Sequence, residues 1–221
     1  MRDTINTPIY LDHAAATPLA PVVLEVMLPH LQDNYGNPSS IHCVGRAAFD
    51  ALEAARQSIA DSLAVRTDEI IFTGSGTESD NLALLGLARA HRQFGQHVIV
   101  SAIEHKALLA AATQLETEGF RVTYLPVDDH GVVQLAALEK ALTNDTILVS
   151  IMYANNEIGT IEPVKDLAKL LEKHYQGNRK PLFHTDACQA VGYLPITPHT
   201  LGVDAMTINS SKIYGPKGVG L

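Results

Sequence analysis

The sequence predicts an α/β fold: a mainly parallel sheet with helices on both faces. Short β-rich apolar runs such as His97-Val98-Ile99-Val100-Ser101 recur along the chain, separated by stretches with helical spacing of apolar residues. Most of these runs are apolar throughout rather than alternating, as in strands covered on both sides. Hydrophobic residues make up 46% and charged residues 18% of 221 positions, which suffices for a substantial core.

Each element has its own justification. Residues 9–12 read as a short strand or extended arm, followed by His13-Ala14-Ala15-Ala16 and Thr17-Pro18, with proline tolerated near a helix start. Val22, Val23, Val26, Met27 and Leu31 give the first helix, and residues 34–40 form a loop by composition. Phe49, Leu52, Ala55, Ile59 and Leu63 mark one face of a long helix, expected to be mostly core. Residues 69–73 are expected as a buried strand, and Gly74-Ser75-Gly76-Thr77 then opens a helix carrying Leu82, Leu85 and Ala88. Further strands are expected at residues 97–101, 121–125, 147–152, 181–184 and 205–208. Between them lie helices from about Lys106 (Leu108, Ala112, Leu115), around Leu135, Leu138 and Leu142, and from Pro163. Val219-Gly220-Leu221 reads as a strand just beginning. The expected organisation is an arm over residues 1–20 and an incomplete large domain over 21–221, with an edge and an apolar face left open.

Composition excludes some classes of function. A net charge of −8 argues against a broad basic face for nucleic acid or an anionic membrane, though a local basic pocket stays compatible. No apolar run is long enough to span a bilayer. Cys43 and Cys188 match neither CxxC nor zinc spacing, so no metal site is expected. With no secretory-signal pattern at the start, the expected location is the cytoplasm.

Ligands of parallel sheets sit beyond the carboxyl ends of the strands. Residues 74–77, His105, residues 155–157, Asp186 and Lys212 all fall just after an expected strand, which points to one shared site. A lysine that reacts with a carbonyl cofactor must reach it and lose a proton. A pyridine-ring cofactor such as pyridoxal phosphate needs an acid at its ring nitrogen. Lys212 and Asp186 fit those two roles, but each also reads as an ordinary loop lysine or strand-end acid. The glycines of residues 74–77 suit an anion at a helix start, without the ending of a Walker A motif. His105 suits stacking on a planar ring or acid–base work, or a purely structural place. Asn156 and Gln189 suit donation to a ring hydroxyl, or simple backbone capping. Cys188, two residues past Asp186, is expected to project to the same side as a packing residue, and Cys43 is expected to be structural.

Seven segments occur in order from near Ile9 to the end. They are Tyr10-Leu11-Asp12-His13-Ala14-Ala15-Ala16-Thr17-Pro18, Gly36-Asn37-Pro38-Ser39-Ser40, Thr77-Glu78-Ser79-Asp80-Asn81, Glu104-His105-Lys106, Asn155-Asn156-Glu157-Ile158-Gly159-Thr160, Asp186-Ala187-Cys188-Gln189 and Lys212-Ile213-Tyr214-Gly215-Pro216-Lys217-Gly218. Together they resemble the NifS/IscS-type cysteine desulfurases, fold-type I pyridoxal-phosphate enzymes of the class V aminotransferase group. The resemblance implies that Lys212 holds the cofactor aldehyde, that Asp186 pairs with the ring nitrogen, and that His105 stacks on the ring and moves protons. Asn156 and Gln189 would contact the ring hydroxyl, and Gly76, Thr77, Asn209 and Ser211 the phosphate. It further implies conversion of L-cysteine to L-alanine, with persulfide sulfur passed to iron–sulfur assembly or tRNA thiolation, in a homodimer that needs a sulfur-acceptor protein.

Two departures stand out. Relatives usually carry Ser-x-His-Lys where this chain has Asn209-Ser210-Ser211-Lys212, which implies weaker cofactor binding rather than none. Gly-Ser-Gly-Thr also replaces the commoner Ser-Gly-Ala-Thr. The family's persulfide-forming cysteine, substrate-binding arginine and small domain would lie beyond Leu221, and neither Cys43 nor Cys188 matches the catalytic position. The alternatives are a non-catalytic cofactor-binding or dimerising module, and a selenocysteine lyase or other class V enzyme.

Overall fold

The structure, a computed structural model, describes residues 8–175 and 179–221; residues 1–7 of the expected arm lie outside the described residues. Strands β1 (His97–Ser101), β2 (Arg121–Leu125), β3 (Thr146–Ser150), β4 (Leu182–Asp186) and β5 (Ala205–Thr207) form one sheet. The order is β2-β1-β3-β4-β5 and every pairing is parallel, as the apolar runs predict. The α-helices among the described residues are α1 (Pro21–Gln32), α2 (Cys43–Leu63), α3 (Gly76–His91), α4 (Lys106–Thr117), α5 (Leu135–Ala141), α6 (Val164–His174) and the short α7 (Pro198–Leu201).

Successive residues of β1 feed opposite layers, because strand side chains alternate between faces. Val98 and Val100 pack with Leu84 and Ala88 of α3 and with Leu108, Ala112 and Leu115 of α4. Ile99 packs with Val149, Phe183, Leu138 of α5, and Leu167 and Leu171 of α6. A third cluster joins Ala60 and Leu63 of α2 to Ala187, Ala190 and Ile208, just past β4 and β5. Both faces of β1, β3 and β4 are therefore covered, and the carboxyl-end loops are held by packed strands, whereas Arg121 and Tyr124 of the edge strand β2 are exposed.

Several expectations are corrected. Residues 69–73 are not a buried sheet strand. Glu69 folds back to accept from the Arg66 N–H (2.7 Å), making a 3₁₀ turn at Thr67–Glu69, and Ile71 is 59% exposed. Only Thr73 pairs, in an isolated antiparallel bridge with Gly220. Residues 219–221 likewise run antiparallel beside Ile208 and Asn209. The face of α2 is less buried than its periodicity suggests: Phe49 and Leu52 are exposed, and only Gly45, Ala48, Ala60 and Leu63 are buried. Leu84, not Leu82, is the fully buried leucine of α3, and Leu135 of α5 is exposed. Of the two readings of residues 9–12, a strand or an extended arm, the strand does not form, and the proline at the first helix is Pro21, not Pro18.

No residue of α1 is buried, and Val22, Val26 and Leu31 are exposed. No helix among the described residues is long and apolar enough to cross a membrane.

Phe183 is fully buried at the centre of the α5/α6 layer. Phe183→Ala is expected to lower stability by about 3–5 kcal/mol, read as a lower urea midpoint with an unchanged slope.

Candidate active site

The parallel register aligns the strand ends and so builds one site. Asp186, the last residue of β4, pairs with Thr207, the last of β5. Beyond β5, Asn209 caps a 3₁₀ turn at Ser210–Lys212 by accepting the Ser211 N–H on its side-chain oxygen (2.8 Å). His105 caps α4 just after β1, its Nδ1 accepting from the Ala107 N–H (3.2 Å). Ser75 caps α3 by accepting the Glu78 N–H (3.1 Å), which leaves Gly76 and Thr77 as the first helical residues.

A cavity of about 530 Å³ opens among these ends. Gly76, Thr77, His105, Asn156, Asp186, Gln189, Asn209, Ser211 and Lys212 all line it, so each sequence-predicted site residue is brought to one place. Asp12, Ala14, Ala15, Asp80, Met152, Ala154 and Cys188 line it too. Asp80 went unrecognised, although its spacing from Gly76 and Thr77 puts it on the same helical face one turn on.

The arm's contribution was also illegible. Lys212 Nζ donates to the carbonyls of Ala14 (2.8 Å) and Ala15 (2.6 Å), and Gln189 Nε2 donates to that of Ala14 (2.9 Å). Thr17 fastens this arm to the lysine turn: its hydroxyl donates to Ser211 O (3.0 Å) and accepts from the Tyr214 N–H (2.7 Å). The lysine is thus steered by a segment nearly two hundred residues away.

The floor of the site is acidic. One oxygen of Asp186 accepts the Cys188 N–H (2.9 Å), and the Cys188 thiol lies within reach of the same carboxylate. Burial, with the Asp186 charge adding to it, pushes the Asp80 carboxyl up to about 8. Burial also raises Glu104, which accepts the Met152 N–H at 2.6 Å. The Cys188 thiol is held well above its usual range by burial first and by Asp186 next, so it stays protonated and poorly nucleophilic. Among the described residues no group of three or more His, Cys, Asp or Glu could hold a metal ion.

Native chain is expected to show one thiol reactive toward a disulfide reagent, Cys43, which is exposed; Cys188 should react only on denaturation. Gly76 is tight: a Cβ there would lie 2.9 Å from Cys188 Sγ and 3.2 Å from Asn209 Nδ2. Gly76→Ala should therefore destabilise by about 1–3 kcal/mol, with part of the loss recovered in Gly76→Ala/Cys188→Ala, both read by thermal unfolding.

The family profile described as Aminotransferase class-V matches residues 9–221. Cysteine desulfurase IscS of Dictyoglomus turgidum is 51% identical over 212 residues, covering 96% of this chain and 52% of that protein. A solved NifS-like protein superposes with a TM-score of 0.92 at 42% identity, over 96% of this chain and 57% of its own. A structure titled SspA in complex with cysteine gives a TM-score of 0.90 at 39% identity, over 96% and 60%. The chain spans about half the length of the curated relatives it matches. Members of this family depend on pyridoxal 5′-phosphate, and the donors present fit it. Among the described residues Thr77 Oγ1, the Ser211 hydroxyl and the Asn156 amide have no protein hydrogen-bond partner, and the Gly76 cradle admits no Cβ. The match over nearly the whole chain, on this fold and around this cavity, makes the protein a member of the class-V aminotransferase family, its fold that of the NifS-like large domain.

Proposed function

We propose that this chain is the cofactor-binding part of a pyridoxal-phosphate-dependent cysteine desulfurase, which converts L-cysteine to L-alanine and releases sulfur for transfer. The observation that carries the reading is the shared cavity of Lys212 and Asp186, an acid ending one strand and an amine in the turn that follows its neighbour. When bound, the cofactor supplies an aldehyde and a protonated ring that withdraws electrons from the bond being broken.

The chain's own residues divide the remaining work. Lys212 would hold the aldehyde and return a proton to the substrate carbon, after exchanging its bonds to Ala14 and Ala15. Asp186 would use its carboxylate to keep the ring nitrogen protonated. His105 spends Nδ1 on the α4 cap, which leaves Nε2 for the ring side and for proton transfer. The Gly76 and Thr77 N–H groups with the Thr77 and Ser211 hydroxyls would bind phosphate, Asn209 holding the Ser211 turn. Asn156 and Gln189 would orient the ring hydroxyl.

Neither cysteine suits the sulfur-accepting step. Cys188 is buried and protonated, and Cys43 sits on α2 without lining the cavity. That favours a second reading for the chain taken alone: it binds the cofactor without turnover, and the persulfide-forming cysteine belongs to another part of the whole protein. For that whole protein the proposal includes a cytoplasmic homodimer and a sulfur-acceptor partner in iron–sulfur assembly or tRNA thiolation.

Borohydride reduction of protein incubated with pyridoxal phosphate should leave a pyridoxyl mark on the peptide containing Lys212, and Lys212→Ala should abolish it. A mark elsewhere, or none, counts against the assignment. Alanine and sulfide release from cysteine by the whole protein separates desulfuration from binding alone.

A further inference from the structure

Asp80 has no role in the proposed chemistry, yet it lies within the same wall. It sits one turn into α3 and is 1% exposed, and its Oδ1 is buried without any hydrogen-bond partner. Such a group is ordinarily paired or neutralised. The groups that act on it are acidic or uncharged: the Asp186 carboxyl at the end of β4, the Cys188 thiol just past it, Glu104 past β1, and the Thr207 hydroxyl on β5. Behind Thr207 the chain of polar groups continues with no charge to offer. Thr207 Oγ1 lies 3.0 Å from His184 Nε2, and His184 Nδ1 lies 2.8 Å from Ser150 Oγ, with the imidazole held down to about 4 by burial. Lys212, across the cavity, is turned to the Ala14 and Ala15 carbonyls.

We propose that Asp80 is a positioning residue carried as a neutral carboxylic acid, which supports Asp186 against α3 and leaves Asp186 to hold the ring nitrogen. The proposal rests on the cofactor reading above. An ionised Asp80 would be a second buried negative charge beside Asp186, with no cation to match it, competing for the ring nitrogen's proton. A protonated one donates its hydrogen within the Thr207 wall and packs against the acid without repelling it.

The sign of the pH dependence follows from the raised value of about 8 against an ordinary 3.8. A proton held more tightly in the folded state contributes stability that is full below the ordinary value and lost as pH rises through about 8. Asp80→Asn keeps the shape and cannot ionise. In cofactor-free protein its unfolding temperature should gain several degrees on wild type as pH rises from 4 towards 8, then stay level. A difference constant over that window overturns the neutral-acid assignment. If the variant does not fold, carboxyl-carbon NMR of wild-type chain with labelled aspartate reads the same quantity. One buried aspartate titrating near 8 supports the proposal, and all aspartates titrating below about 5 overturn it.

Positioning is read by cofactor affinity at neutral pH. Asp80→Ala should weaken pyridoxal-phosphate binding about tenfold, and Asp80→Asn should stay within about threefold of wild type. Equal affinity of Asp80→Ala and wild type overturns the positioning role alone. Failure of wild type itself to bind overturns that role together with the functional reading, while the pH profile of the cofactor-free protein still decides the protonation state.

Discussion

The site depends on the pairing of β4 with β5. Asp186 lies beside Thr207 at the end of two parallel strands, and only four residues separate Thr207 from Lys212. Parallel strands deliver their carboxyl ends to the same edge, so an acid ending one and an amine following the next meet across a single cavity. Had the two strands run antiparallel, Lys212 would leave from the opposite edge of the sheet. The core on both faces keeps that register from slipping, because a shift of one residue would turn Phe183 out of its layer.

A second constraint is the treatment of polar groups inside the sheet. His97 lies between Thr146 and Thr123, and His184 between Ser150 and Thr207, each at 2.8–3.0 Å from its hydroxyl partners. Burial lowers both imidazoles to about 4, so they act as neutral struts that satisfy donors and acceptors without adding charge. Charge is thereby concentrated at the strand ends. Acids near the cavity nonetheless outnumber partners: Asp80 and Glu104 each bury an oxygen without a hydrogen bond, as Glu162 does beside Val133.

The arm supplies the remaining geometry. Its carbonyls receive the lysine amine and the Gln189 amide, and Thr17 ties it to the lysine turn on both sides. These bonds explain why a segment without regular secondary structure, at residues 9–20, holds a defined course over the site.

Sequence by itself determined five of the strand runs, the parallel fold class and most of the site residues, because each announces itself locally, while Asn209 and Ser211 were pointed to only by the family resemblance. An apolar run marks a buried strand, a glycine-rich turn marks a helix start, and a polar residue just past a strand marks a rim. The helical spacing of Leu108, Ala112 and Leu115 likewise marked a buried face that the sheet then covered. Tertiary structure alone decided the rest. The same kind of spacing in Phe49 and Leu52 led to exposure, since no described element packs over the middle of α2. Residues 69–73 look like any buried strand until Glu69 finds the Arg66 N–H. Lys212 meets Ala14 and Ala15, and Asp80 meets Asp186, only because strand order and helix placement bring distant segments together. A local pattern records what a residue needs from its surroundings, whereas the identity of the neighbour that meets the need is a property of the folded chain.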